Sequence, residues 1–250
     1  MWWRFLLVVT LASTLAHGAQ PSYKVASTDR PRSALLEAGA ADWTSAASVT
    51  WGPAPYETTF RALWSTEGLC LRFDATDDHP WHTMTKRDDH LWEEEVVEIF
   101  LDIDRSGRNY AELEISPGNV VCDVRMVEPW PNKQMDFNWN IEGLETRVQP
   151  APGRPSASGN WTALAFLPWS AFRTLPASKG VALPPRIGDR WRFNLFRVKR
   201  PGGPKAPDRG AVEVAWSEPG QPSFHVPAAF RDFVFEGSVR PRGAGATGTR

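Results

Sequence analysis

From Glu57 onward the chain alternates apolar and polar residues over short stretches separated by turn residues. A period of two puts successive side chains on opposite faces of a strand. Glu57 to Ser65 alternates in this way. Gly68 to Asp77 follows, with Leu69, Leu71 and Phe73 expected inward. In Glu94 to Asp104, Val97, Ile99, Leu101 and Ile103 point one way, and Glu98, Phe100 and Asp102 the other. Asn109 to Ser116 places Ala111, Leu113 and Ile115 inward, with Glu112 and Glu114 outward. Further strands are expected at Val120 to Met126, Leu144 to Gln149, Trp161 to Leu167, Arg190 to Lys199, Val212 to Trp216 and Arg231 to Phe235. Gly107, Pro117-Gly118 and the Pro/Gly/Ser-rich run from Pro150 to Gly159 mark turns. Pro168 to Phe172 reads as a helical turn with proline at its first position. Val127 to Ile141 is aromatic, polar and aperiodic, and reads as a surface loop with some strand at its end.

Many short strands without long helices between them predict an all-β fold: one antiparallel β-sandwich, jelly-roll or immunoglobulin-like, with irregular loops. The sandwich is expected over residues 56–237. Residues 19–55 are rich in Ala, Ser and Pro, and form a weakly patterned lead-in packed on the sandwich. Residues 238–250 are Gly/Arg-rich and read as a disordered tail.

The first residues change the compartment. Arg4, the apolar run Phe5 to Leu15 and the small-x-small Ala16-His17-Gly18 read as a secretory signal peptide over 1–18. The run is too short to span a bilayer, and no later segment qualifies. The alternative is an uncleaved anchor. The expected place is therefore secreted or periplasmic. Two cysteines, Cys70 and Cys122, survive processing, and the sequence leaves open a disulfide between them or two separate thiols. The formal net charge is −1, so no basic excess points to nucleic acid or to anionic lipid.

Among the candidate chemistry, there is no GxSxG, HExxH, CxxC or Gly-rich phosphate loop. His79, His82 and His90 lack the spacing of a zinc site. Asp102-x-Asp104-x-Ser106-Gly107 mimics half of an EF-hand loop, but its twelfth position is Leu113, so it reads as a hairpin turn. Glu93, Glu94 and Glu95 read as a solvated edge, with calcium ligation as the alternative. Glu98 and Glu114 on neighbouring strands leave a glycosidase pair open. Glu98 on an outward strand face beside Trp92 suits a sugar. The ring stacks on a pyranose and the carboxylate accepts hydroxyl hydrogen bonds.

The ordered set WEEEVVEIFLDID, NYAELEISP, WTALAFLPWSAF, GDRWRFNLFRV, AWSEP and SFHVPAAFRDFVF resembles the family 9 carbohydrate-binding modules, within the DOMON-like superfamily, from about Phe60 to Phe235. The resemblance implies a non-catalytic β-sandwich that grips a mono- or oligosaccharide between two aromatic side chains, works in polysaccharide breakdown, and often carries structural calcium. It places the first aromatic on Trp92 and the second on Phe224. It assigns sugar contacts to Glu98, Asp77 and Gln221. Where the family pattern has a basic residue, this chain has Glu114, so a donor has become an acceptor. Trp81 is expected to wall the pocket. Each position has an ordinary reading too: Trp92 as strand-end core, Glu98 as a cross-sheet partner of Arg72, Phe224 as packing, Trp81 as a plug. Related sandwiches hold haem b, with Met84, Met126, Met135, His82 and His225 as the ligands available here. A ligand-free interaction domain is the third reading.

Overall fold

The computed structural model describes residues 22–37, 39, 41–44, 46–150 and 158–238. The expected signal segment, most of the Pro150–Gly159 turn and all but the first residue of the expected tail lie outside the described residues. Thirteen strands are present among them: β1 (Tyr23–Ser27), β2 (Ser48–Trp51), β3 (Thr58–Trp64), β4 (Gly68–Ala75), β5 (Val96–Asp102), β6 (Tyr110–Ile115), β7 (Val121–Glu128), β8 (Gln134–Asp136), β9 (Glu145–Gln149), β10 (Trp161–Pro168), β11 (Arg190–Lys199), β12 (Val212–Ala215) and β13 (Arg231–Glu236). Two one-turn helices, α1 (Arg32–Leu35) and α2 (Trp169–Phe172), complete it.

The ladder runs β8-β7-β6-β5-β11-β13-β1-β3-β4-β10-β9, with β12 on β11 and β2 on β3. It is an all-β sandwich. One apolar core joins its two halves. Val97, Ile99 and Leu101 of β5, Leu113 of β6 and Phe193 of β11 meet Phe60 of β3, Phe73 of β4 and Ala165 of β10. These are the inward positions of the alternating strands, which is why the pattern was readable.

The lead-in needs a correction. β1 pairs in parallel with both β13 and β3 and so sits inside the sheet. Its five residues are too few for a clear alternation signal. Tyr23 anchors it: its hydroxyl donates to the Ala47 carbonyl at 2.6 Å and accepts from the Ala62 amide at 2.7 Å. β2 likewise joins the sheet against β3, and the described residues between β1 and β2 cover the outer face of the β3-β4-β10 half. There Leu35, Leu36, Trp43 and Ala46 pack on Leu63, Cys70, Leu164 and Phe166.

The outer face of the β7-β6-β5-β11 half is also covered, which the sequence pattern did not announce. Every residue of β5 and β6 is buried. Phe100, Tyr110, Met126 and Phe196 form one cluster there, roofed by Phe224 and Phe230. Val96, Cys122, Val124 and Val198 form another, against Leu91 and Trp92. Cys70 and Cys122 are free, buried thiols in clusters on different halves of the sandwich. The turn at Asp102–Gly107 holds itself together. The Gly107 amide donates to Asp102 at 2.9 Å and the Ser106 amide to Asp104 at 3.0 Å. Gly107 takes φ of 75°, a conformation that suits glycine.

Candidate functional site

Between the roof segments and the outer face of β5, β6 and β11 lies a cavity of about 560 Å³. Its floor is made by strand register. Glu98 of β5 stands opposite Glu114 of β6, and Glu112 is two residues along on the same face. One carboxylate oxygen from each lies within 4.8 Å of the others. Glu98 Oε1, Glu112 Oε2 and Glu114 Oε2 are all buried without a hydrogen-bond partner. The three residues are only 1–2% exposed.

Such carboxyls resist ionisation. Burial, then the neighbouring Glu112, holds the Glu98 carboxyl well above the usual range. Glu114 is raised in the same way by burial, Glu98 and Glu112. Glu112 is pushed up to about 7 by burial, partly offset by a hydrogen bond from Glu114 and by Lys133. His225 is driven the other way, down to about 3, because its imidazole is buried. It is held against Tyr110, 3.1 Å from the hydroxyl, and stacked on Phe100 at 4.8 Å. It therefore stays neutral beside Glu112, 4.0 Å away.

Two aromatic rings line this cavity above the floor: Trp92 and Phe224. Both are half-buried. Trp92 sits on the tight turn Leu91–Glu93, which Leu91 pins to the core. Its ring stacks on His90 at 4.5 Å between centroids, with Phe137 6.4 Å away. Phe224 stacks on Phe196 at 4.3 Å. Each ring is thus backed on one side by another ring, a rigid arrangement for presenting a stacking surface. The Lys133 ammonium lies 5.8 Å from the Trp92 ring centroid. Gln221, Ser223, Arg200, Glu213 and Met135 supply further lining.

Trp92, Glu98, Glu114, Gln221 and Phe224 are therefore brought together. Asp77 and Trp81 are not, and both expectations are corrected. Asp77 is fully buried in an ion-pair cluster, accepting from Arg197 and from Lys199 at 2.6 Å each. Arg197 and Lys199 follow Trp191, Phe193 and Leu195 on the inward face of β11. They require an anion there, because an unpaired buried charge is costly. Trp81 is buried, does not line the cavity, and donates its indole N–H to the Arg200 carbonyl at 2.7 Å. The acidic run is also corrected. Only Glu93 is exposed. Glu95 pairs with Lys199 at 2.8 Å and accepts from the Arg200 amide, while Glu94 accepts from Thr83. Glu98 does not pair with Arg72, which binds Asp74 on its own strand at 2.6 Å.

The sequence reading missed Glu112, Lys133 and Arg200 as site residues. Glu112 shares the alternation of Glu114 and carried the same signal. Lys133 and Arg200 come from irregular segments and carried none. Arg200 reaches the rim with its backbone held by Trp81 and Glu95, pairing with Glu213 at 2.7 Å.

Among the described residues, Glu98, Glu112 and Glu114 are the one group of three or more potential metal ligands that converges. Their oxygens fit a hard cation in kind and charge. A haem fits less well. Of its candidate ligands only Met135 and His225 reach the cavity, over a carboxylate floor rather than an apolar slot.

Residues 37–123 match the family model described as "Carbohydrate family 9 binding domain-like". That stretch contains Trp92 and all three floor glutamates. The fold aligns with a family 9 carbohydrate-binding module from Caldicellulosiruptor kristjanssonii in complex with cellotriose. The TM-score is 0.59 at 12% identity, over 92% of this chain and 99% of that one. The fold is that of a family 9 module. A putative carbohydrate-binding protein from Bacteroides uniformis shares it at TM-score 0.59 and 19% identity, over 86% of this chain and 97% of that one. In sequence, the chain is 27% identical over 186 residues to a protein of Arthroderma benhamiae named "Extracellular protein". That alignment covers 72% of this chain and 78% of the relative. No helix among the described residues is long and apolar enough to cross a membrane.

Proposed function

We propose that this protein is a secreted, non-catalytic saccharide-binding domain that holds a mono- or oligosaccharide in the cavity between Trp92 and Phe224. One observation carries the reading. Two half-buried rings, each backed by another ring, line one cavity whose floor is polar and unpartnered. A pyranose has apolar faces and a polar edge, so rings take the faces and carboxyls take the edge. A cavity of about 560 Å³ lies in the range for small-ligand sites. The signal-like N-terminus and the relative named as extracellular support an exported protein. A role beside polysaccharide breakdown follows the same resemblance.

Binding suits the carboxyls better than hydrolysis. Glu98, Glu112 and Glu114 project from one face of adjacent strands and reach the same edge of a ligand. A glycosidase pair must flank the scissile bond. Calorimetric titration against a panel of neutral, acidic and amino saccharides tests the proposal. Saturable binding of at least one class supports it. A cooperatively folded protein that binds none of them overturns it.

A further inference from the structure

Among the described residues, no lysine or arginine forms an ion pair with the floor glutamates, although the charge of Lys133 acts on all three. Several other buried carboxylates meet a cation: Asp77 meets Arg197 and Lys199, Glu95 meets Lys199, and Asp123 meets Arg87 at 2.5 Å. Glu98, Glu112 and Glu114 are as deeply buried as these, and each has an unpartnered oxygen with no lysine or arginine paired to its carboxylate. Burying a carboxylate in this way is costly unless a cation or a proton meets it. Lys133 is nearby but rests over the Trp92 ring. Arg200 is taken by Glu213 and by the Trp92 carbonyl.

We propose that the ligand of this cavity is an amino sugar, whose ammonium is held by Glu98, Glu112 and Glu114 while its ring lies against Trp92 and Phe224. The inference rests on the saccharide-binding reading and names the substrate class within it. An ammonium carries three N–H donors and no acceptor. Three acceptors around one tetrahedral nitrogen, each about 2.8 Å away, stand about 4.6 Å apart. One carboxylate oxygen from each of the three lies within 4.8 Å of the others. A metal ion is the competing occupant and is less well served. Calcium takes about six to eight oxygen ligands. Beside the trio, the lining includes the apolar Trp92, Phe224, Met135 and Val198. The cavity is also far larger than an ion needs.

Occupation by an ammonium must expel protons. The groups facing the trio are Cys122 on β7, Lys133 before β8, Arg200 and Glu213 at the ends of β11 and β12, and Glu218 and His225 before β13. His225 is neutral and the Arg200–Glu213 pair is balanced. The proton change therefore falls on the trio. Affinity for an amine should rise from pH 5 to 7, whereas affinity for a neutral sugar should not.

The test is calorimetry of the full chain with length-matched glucosamine, N-acetylglucosamine and glucose oligomers. It is run with and without EDTA, in buffers of different ionisation enthalpy. We expect the glucosamine oligomer to bind at least about tenfold tighter than the other two, with proton release and no effect of EDTA. In Glu98→Gln and Glu114→Gln that preference should shrink toward one. Neutral oligomers binding as tightly as the amine would overturn the inference and leave the saccharide reading standing. Calcium binding to the trio, with EDTA abolishing sugar binding, would also overturn it, in favour of a metal site. Failure of all three oligomers, and of the wider panel, would remove both. The wild-type preference decides the matter even if a variant does not fold.

Discussion

Glu98 and Glu114 stand directly opposite each other on β5 and β6, both buried and each with an oxygen that nothing in the protein satisfies. Like charges across a strand pair are unfavourable, and burial multiplies the cost. Replacing one carboxyl by an amide removes the repulsion and adds a donor. We therefore expect Glu114→Gln to raise stability at pH 8 by about 1–2 kcal/mol, read by urea denaturation of ligand-free protein. A destabilised Glu114→Gln would mean that the trio already has a counter-charge.

The same groups contribute to the pH dependence of the empty protein, alongside Glu95 and Asp102, whose buried carboxyls are raised to about 7 and about 6. Glu112 is raised to about 7, and burial and the neighbouring carboxyls also hold Glu98 and Glu114 well above their ordinary range, so the folded state holds protons that the unfolded chain loses above about 4.5. Their stabilisation is fully present below that point and lost as pH rises through the folded values. His225, lowered to about 3, acts in the opposite sense and costs stability as pH falls below its ordinary 6.5. Three carboxyls outweigh one imidazole. Melting temperature should rise as pH is lowered from 8 to about 5.5. A fall over that range would contradict the assignment.

Asp77 has a structural task. It faces Arg197 and Lys199, both fully buried, and its removal leaves the two cations with Glu95 and the more distant, exposed Asp78. Asp77→Ala should cost about 3–5 kcal/mol, measured by denaturant unfolding. Any Asp77→Ala protein that does fold should keep its saccharide affinity, because the side chain does not reach the cavity.

How far the sequence carried the reading depended on where each residue sat. Alternation over Val97–Ile103 and Ala111–Ile115 exposed the inner face of the sandwich, because burial repeats with the strand period. It could not show that the outer face is roofed, since the roof comes from aperiodic segments around Leu91, Met135 and Phe224. Trp92 was legible from its place beside the Glu98 strand, and Phe224 only through resemblance. Asp77 was misplaced because its counter-cations, Arg197 and Lys199, lie 120 and 122 positions away. Nothing local announces such a pair. β1 was hidden by its shortness.

The cysteines give a further check. Cys70 and Cys122 belong to clusters on different halves of the sandwich, and burial pushes the Cys70 thiol up to about 12. The denatured protein should titrate two thiols, and the native protein almost none. Reductant should leave the melting temperature unchanged. A mass two units lower, with a fall in melting temperature on reduction, would contradict this.

The central claim is that Trp92 forms one wall of a saccharide site. The most direct measurement is calorimetric affinity of Trp92→Ala for the tightest ligand found with the parent protein, with cooperative unfolding checked alongside. Loss of a stacked ring should weaken binding by about tenfold or more, roughly 1.4 kcal/mol. A folded Trp92→Ala protein that binds that sugar as strongly as the parent would contradict the account.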